Sequence, residues 1–191
     1  MSSRCKKQRR GFTLVELMVV VTLVALILTL AAPSFACLAK AAAISSGVDQ
    51  FLADMRFARS EAVRRGGGVI LCRSDEPESP VATCSAGPAS HGWASGWIVF
   101  HDLDGNGERN GDEGLLRIQA RLSGIDTIAT GGTPTLFRFG ATGRLVAPGS
   151  IASLHFGSTD LDAQVRRVVC VTAGGRARIA GDGTAACGVE G

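Results

Sequence analysis

The chain has 191 residues, of which 46% are hydrophobic and 19% charged, enough for one membrane segment and one head of ordinary size but hardly for two independent cores. Its formal charge of +3 misleads, because Arg4, Lys6, Lys7, Arg9 and Arg10 all precede Phe12; without them fifteen basic residues face seventeen acidic ones, a net −2, and Lys40 is the only lysine among the fifteen. A generally basic surface is excluded, and any cationic site must be a local patch of guanidinium groups.

Residues 1–11 form a basic leader. From 17 to 32 every residue is apolar except Thr22 and Thr29. The wider stretch 12–35 is long enough, at about 1.5 Å per residue, to cross a hydrocarbon core of about 30 Å. The positive-inside tendency keeps the leader in the cytoplasm and puts the head outside the inner membrane.

Three fates fit such a segment: an ordinary cleaved signal, a permanent anchor, and a helix that loses its leader and stays. Ser34-Phe35-Ala36 has the small-x-small pattern of an ordinary cleavage site, and Cys37 raises a lipoprotein. Against both, the apolar run exceeds the roughly 7–15 residues of a usual signal core, and Ser34-Phe35 is a poor approach to a lipidated cysteine. Glu16 separates the remaining two. A carboxylate costs about 2.5–3.5 kcal/mol at the centre of a spanning helix and calls for a partner, although near a helix end it can snorkel.

The string Arg10-Gly11-Phe12-Thr13-Leu14-Val15-Glu16-Leu17 closely resembles the type IV prepilin signal, in which a dedicated peptidase cuts after glycine and the new phenylalanine is N-methylated. The resemblance implies cleavage after Gly11, methylation of Phe12, and pairing of Glu16 with the amine of Phe12 on a neighbouring copy. Opposite charges attract strongly in a low dielectric and neither is tolerable alone there, so the pair would set the axial register of a filament.

Pro33 is expected to kink the helix rather than end it. Beyond it, Ile44, Val48, Phe51, Leu52, Met55 and Ala62 fall on one stripe, with Asp49, Arg56, Ser60 and Arg64 elsewhere. This spacing predicts an amphipathic continuation over 44–66, laid against the head and stopped by Gly66-Gly67-Gly68. The organisation is therefore leader 1–11, transmembrane or filament-core helix 12–43, amphipathic helix 44–66 and head 67–191.

Short β-type runs follow at 69–72, 97–100, 115–118, 136–139, 151–156 and 165–171, separated by Gly-, Pro-, Ser- and Asp-rich turns. They predict an α+β head of antiparallel sheets against one helix, with 74–92 as the long low-order loop. Cys5 and Cys37 lie in the leader and anchor. Cys72, Cys84, Cys170 and Cys187 lie in the exported head, where two disulfides are expected; the close pairs 72–84 and 170–187 are the simplest of three connectivities. None of these pairs has the short spacing of a zinc knuckle.

Cys72, the Gly96-Trp97-Ile98-Val99-Phe100 strand, an aspartate-rich loop and a late cysteine strand together resemble the FimT/GspH family of minor pilins and pseudopilins, over most of the chain. That resemblance implies a pilin-like fold. It also implies assembly with major and minor pilins, processing by the prepilin peptidase, and passage from the inner membrane, with a periplasmic head, to a pilus filament or its tip.

Two candidate sites lie in the head. Asp102-Leu103-Asp104-Gly105-Asn106-Gly107, with Glu113 at the twelfth place, has the ligand spacing of an EF-hand-type calcium loop: side-chain oxygens from Asp102, Asp104, Asn106 and Glu113, a carbonyl from Glu108, and a turn at Gly107. Flanking helices are not apparent, and Arg109 holds an ordinarily apolar place. The plainer reading is a solvated hairpin loop, so no metal or other cofactor is assigned.

The second site is Gly175-Arg176-Ala177-Arg178. On an extended strand Arg176 and Arg178 point the same way and form a guanidinium fork suited to phosphate oxygens. Six arginines lie between Arg138 and Arg178 against Asp160 and Asp162, a local +4. By charge alone this is an ordinary solvated turn. FimT-type minor pilins, however, carry a Gly-Arg-x-Arg motif that binds DNA for uptake in natural transformation, and Gly175, Arg176 and Arg178 match it. Contact would be to duplex backbone phosphates regardless of sequence, with Arg166 and Arg167 assisting. The alternative within the family is a GspH-type pseudopilin of type II secretion, without DNA binding. His91, His101 and His155 have no metalloprotease spacing, and neither a Gly-x-Ser-x-Gly elbow nor a phosphate-binding Gly-x4-Gly-Lys loop occurs, so an enzyme is not expected.

Overall fold

The computed structural model describes residues 12–87, 91–131, 135–146, 152–158 and 161–188, with the side chains of 30–34 outside that description. Its contacts divide the chain into two compact units, Met1–Leu38 and Ala39–Gly191.

The helix α1 spans Leu14–Arg65 and is helical through Pro33, so it contributes to both units. Thr13 caps it: its hydroxyl accepts the Glu16 N–H at 3.2 Å and its carbonyl accepts the Leu17 N–H. Thr13-x-x-Glu16 is thus half of a capping box, and the Glu16 carboxylate sits in the first turn, where the helix dipole favours negative charge. In the first unit the apolar side chains stand exposed, Leu14 at 74% and Ile27 at 65% among them. Among the described residues no helix is long and apolar enough to cross a membrane; the expected 12–35 span includes 30–34, whose side chains lie outside the described residues.

In the second unit the expected stripe is buried, with Ile44, Val48, Phe51, Leu52, Met55 and Ala62 all in the core and joined by Ala58. At the C-terminus Gly66 takes φ +82° and the Gly67 N–H reaches back to the Ala62 carbonyl at 2.8 Å, a Schellman-type ending that a side chain at Gly66 would strain.

Eight strands follow: β1 Val69–Arg73, β2 Trp97–His101, β3 Leu115–Gln119, β4 Ile128–Gly131, β5 Leu136–Phe139, β6 Ala152–Phe156, β7 Arg167–Val171 and β8 Ala177–Asp182. They make two antiparallel four-stranded sheets, in the orders β3-β2-β1-β5 and β4-β6-β7-β8. One set of alternating residues faces the helix: Val69 and Leu71, Trp97 and Val99, Phe137 and Phe139, Leu154 and Phe156, Val169 and Val171. Phe51 is the hub, meeting the rings of Trp93, Trp97, Phe137 and Phe156 edge-on at centroid distances of 5.6–6.2 Å.

The first sheet is covered on its other face too. Ile70, Cys72, Ile98 and Phe100 pack with Ala82 and Cys84 from the 74–92 loop, which the Cys72–Cys84 disulfide fastens down. Ser85 N–H to the Arg73 carbonyl, 2.8 Å, closes the same flap. A bridge of this span contributes about 2–4 kcal/mol. The second disulfide joins Cys170 to Cys187, so both close pairs form.

The helix-facing core also holds the carboxylate of Asp54. Asp54 is fully buried and accepts hydrogen bonds from Trp97 Nε1 (2.8 Å), Arg117 Nη1 (2.6 Å) and Gln50. Arg117 in turn covers the Phe57 ring, its guanidinium carbon 4.3 Å from the centroid.

Candidate nucleic-acid interface

The Gly-Arg-x-Arg motif straddles the β7–β8 hairpin. Thr172 opens the turn, its carbonyl accepting the Gly175 N–H and its N–H donating to the Arg176 carbonyl, both at 2.9 Å. Gly175 is buried with φ +72°, and a Cβ there would lie 2.4 Å from the Gly143 carbonyl oxygen and 3.0 Å from the Phe139 ring. Both the backbone conformation and the close approach require glycine.

The register pairs Val171 with Ala177 and Cys170 with Arg178. Val169 and Val171 face the core, so Cys170 and Arg178 share the opposite face, and Arg176, two places before Arg178, joins them. Both arginines are exposed. Cys187 is bonded to Cys170 on this face and brings the C-terminal tail back across it. The hairpin thus carries two exposed arginines on the same face as the Cys170–Cys187 cross-link.

Arg166 and Arg167 do not join the fork. Arg167 opposes Asp182 at the far end of the strand pair, about 10 Å along the strand from Cys170 and Arg178. Its Nη1 donates to the carbonyls of Gln164 and Arg166. Arg166 lies just before the strand, half-buried, with its Nε enclosed and packed over Gly183. The Thr184 hydroxyl and N–H, with the nearby charges of Arg167 and Arg166, hold the Asp182 carboxyl below the usual aspartate range. Both arginines lie beside the start of the tail, at Asp182 and Gly183.

At the amino-terminal end, Gly11 lies outside the described residues, while Phe12 and Glu16 are exposed. The aspartate-rich loop brings Asp102, Asp104 and Glu113 together, their oxygens within 4.8 Å of one another. Its carboxylates also accept hydrogen bonds from the loop's own backbone. Asp102 takes the N–H groups of Gly105 and Gly107, Glu113 those of Leu103 and Asn110. Asn106 is turned toward the carboxylate of Asp104 rather than toward a shared centre; its backbone N–H, ahead of the Asn110 side chain, holds that carboxyl below the usual range. The positive charge is supplied by Arg138, whose Nη2 lies 2.8 Å from Asp102 and whose Nη1 donates to the Gly105 carbonyl. The loop is a hairpin connection between β2 and β3, held by an arginine on β5.

Comparison with known proteins agrees with this architecture. Residues 47–175 match the family described as Type II transport protein GspH, and residues 6–32 match the Prokaryotic N-terminal methylation motif. Among solved structures, the chain is similar to the type IV minor pilin FimU of Pseudomonas aeruginosa (strain PAO1) in two crystal forms, with TM-scores of 0.53 and 0.50 at 18% identity. The similarity covers 71% of this chain and 87% and 90% of those chains. No curated protein sequence matches the chain.

Proposed function

Because the chain belongs to the GspH family of type IV pilin-like minor pilins and pseudopilins, we propose that it is a minor pilin that binds duplex DNA through Gly175, Arg176 and Arg178. In this reading the prepilin peptidase cuts after Gly11 and the apolar helix holds the subunit in the inner membrane with its head in the periplasm. It then assembles with major and minor pilins at or near a pilus tip, where it contributes to DNA uptake in natural transformation. It performs no catalysis and needs no cofactor.

The observation that carries the proposal is the pair of exposed, same-facing arginines on a hairpin whose turn only glycine can make. Guanidinium groups in this arrangement suit phosphate oxygens and read no base, so affinity should be independent of sequence and steeply dependent on salt. The test is an anisotropy titration of the full chain in neutral detergent with labelled duplexes. Replacing both arginines, Arg176→Gln with Arg178→Gln, should weaken all duplexes alike and flatten the salt slope by about 0.9 per lost contact. Unchanged binding by the double variant would contradict the assignment.

A pseudopilin of type II secretion is the second reading, favoured by the description of the family match and by its extent, which stops at Gly175 and leaves Arg176 and Arg178 beyond it. It predicts that the wild-type chain binds no duplex and that its gene lies among secretion rather than pilus-assembly genes.

A further inference from the structure

The turn that carries the fork is not isolated. The Gly143 carbonyl that blocks a side chain at Gly175 belongs to a tight turn after β5, fixed by Gly143 N–H to the Gly140 carbonyl (2.8 Å), Gly140 N–H to the Arg144 carbonyl (2.9 Å), and Leu145 N–H to the Ala173 carbonyl (3.0 Å). Gly143 in turn is covered by helix α1: a Cβ there would lie 3.0 Å from both Cγ and Nε of Arg59. A continuous chain of contacts therefore runs from Gly175 through Gly143 to Arg59, with Arg144 beside the middle link. Arg144 is exposed and Arg59 half-exposed. Ion pairs among the described residues engage Arg64, Arg65, Arg73, Arg117 and Arg138, and none includes Arg59, Arg144 or Arg176.

We infer that Arg144 and Arg59 continue the fork around the tip of the hairpin as one phosphate-binding band built from three separate segments: the β7–β8 hairpin, the turn after β5 and the last turns of α1. The inference rests on the duplex-binding reading above and deepens it, because it says how the duplex lies, across the hairpin and the adjoining turn toward the helix. A rigid polyanion whose phosphates are fixed in space gains from guanidinium groups whose backbones are also fixed, whereas mobile lipid headgroups need no such preorganisation. The backbones of Arg144 and Arg176 are held by hydrogen bonds on both sides of the Gly143–Gly175 contact, and Arg59 is anchored by its stem.

The same anisotropy titration tests it, on the full chain in neutral detergent over a salt series. Arg59→Gln and Arg144→Gln should each lower the salt slope by about 0.9 and weaken binding about fivefold at 0.15 M salt. Arg59→Lys, which keeps the charge, should keep most of the slope; this control separates lost contact from any disturbance of the packing over Gly143. A slope unchanged in Arg59→Gln and Arg144→Gln but reduced in the Arg176/Arg178 double variant would overturn this inference and leave the hairpin site standing. No duplex binding by the wild type would overturn both. Suppose phosphatidylglycerol doped into the micelles displaced duplex from the wild type and not from Arg59→Gln or Arg144→Gln, while the slopes in neutral micelles stayed equal. These arginines would then belong to a lipid contact instead, and the inference would fail.

Discussion

Adding one methyl group at the tip of the hairpin should damage both stability and DNA binding without touching a charge. Gly175→Ala forces an L-residue to hold φ +72°, which costs roughly 1–2 kcal/mol. The new Cβ also meets the Gly143 carbonyl oxygen at 2.4 Å, so the tip must withdraw by about 1 Å to reach ordinary contact. The Leu145 N–H bond to Ala173, which stitches the two turns together, lies in the path of that movement; an N–H left without its acceptor costs about 1–3 kcal/mol. The sum is about 2–5 kcal/mol, and for a chain of this size 3 kcal/mol lowers the melting temperature by about 6–12 °C. Thermal unfolding of the full chain in neutral detergent measures the first effect and the duplex titration the second. Gly175→Asn sorts the two causes, since asparagine tolerates the left-handed backbone but still brings a Cβ: it should recover only the dihedral part. A Gly175→Ala variant that melts within about 2 °C of wild type would refute the reasoning.

Three further outcomes are expected. Asp54→Leu leaves the Trp97 N–H without an acceptor in the core and should destabilise by about 2–4 kcal/mol in urea titrations, the partly exposed Arg117 limiting the loss by turning to water. The Arg64 and Arg65 guanidinium groups hold the Glu61 carboxyl below its ordinary value of 4.5, with the Arg64 hydrogen bond the larger cause. Its contribution is therefore complete above pH 4.5 and is lost as pH falls through the depressed folded value, so Glu61→Gln should flatten the acid limb of a stability-against-pH curve measured by urea midpoints. Glu16→Ala should still be cleaved after Gly11 yet incorporate poorly into filaments, read by comparing processed and sheared fractions; normal incorporation would remove Glu16 from the register role.

The amphipathic half of α1 was legible because its burial follows one simple period, 44, 48, 51, 52, 55 and 62. Asp54 breaks that period and gave no warning, since its partners Trp97 and Arg117 arrive from strands more than forty residues away. The runs in β1 and β2 read as continuous apolar strands for a physical reason: the disulfide-fastened flap dries the outer face of their sheet. The same flap reads as a low-order loop, partly closed if Cys72 and Cys84 pair, but little in its own residues says what it covers. β4, which lies in the Gly-containing stretch Ile128–Gly131, carries too little alternation to be picked out. Thr13-x-x-Glu16 was readable as a helix start and was obscured by the processing signal that occupies the same residues. In the candidate interface the motif itself was visible, but neither the placement of Arg166 and Arg167 beside the tail nor the approach of Arg59 and Arg144 follows from spacing; both depend on which turns touch.

The aromatic seam around Phe51 gives the molecule a built-in optical probe. The chain has two tryptophans and no tyrosine. Trp93 and Trp97 are both buried, lie 6.5 Å apart, and each touches Phe51 on α1. Tryptophan emission therefore originates where the helix meets the sheets. A red shift in that emission would time the separation of helix from sheets, while a simultaneous circular-dichroism trace would follow the helix itself.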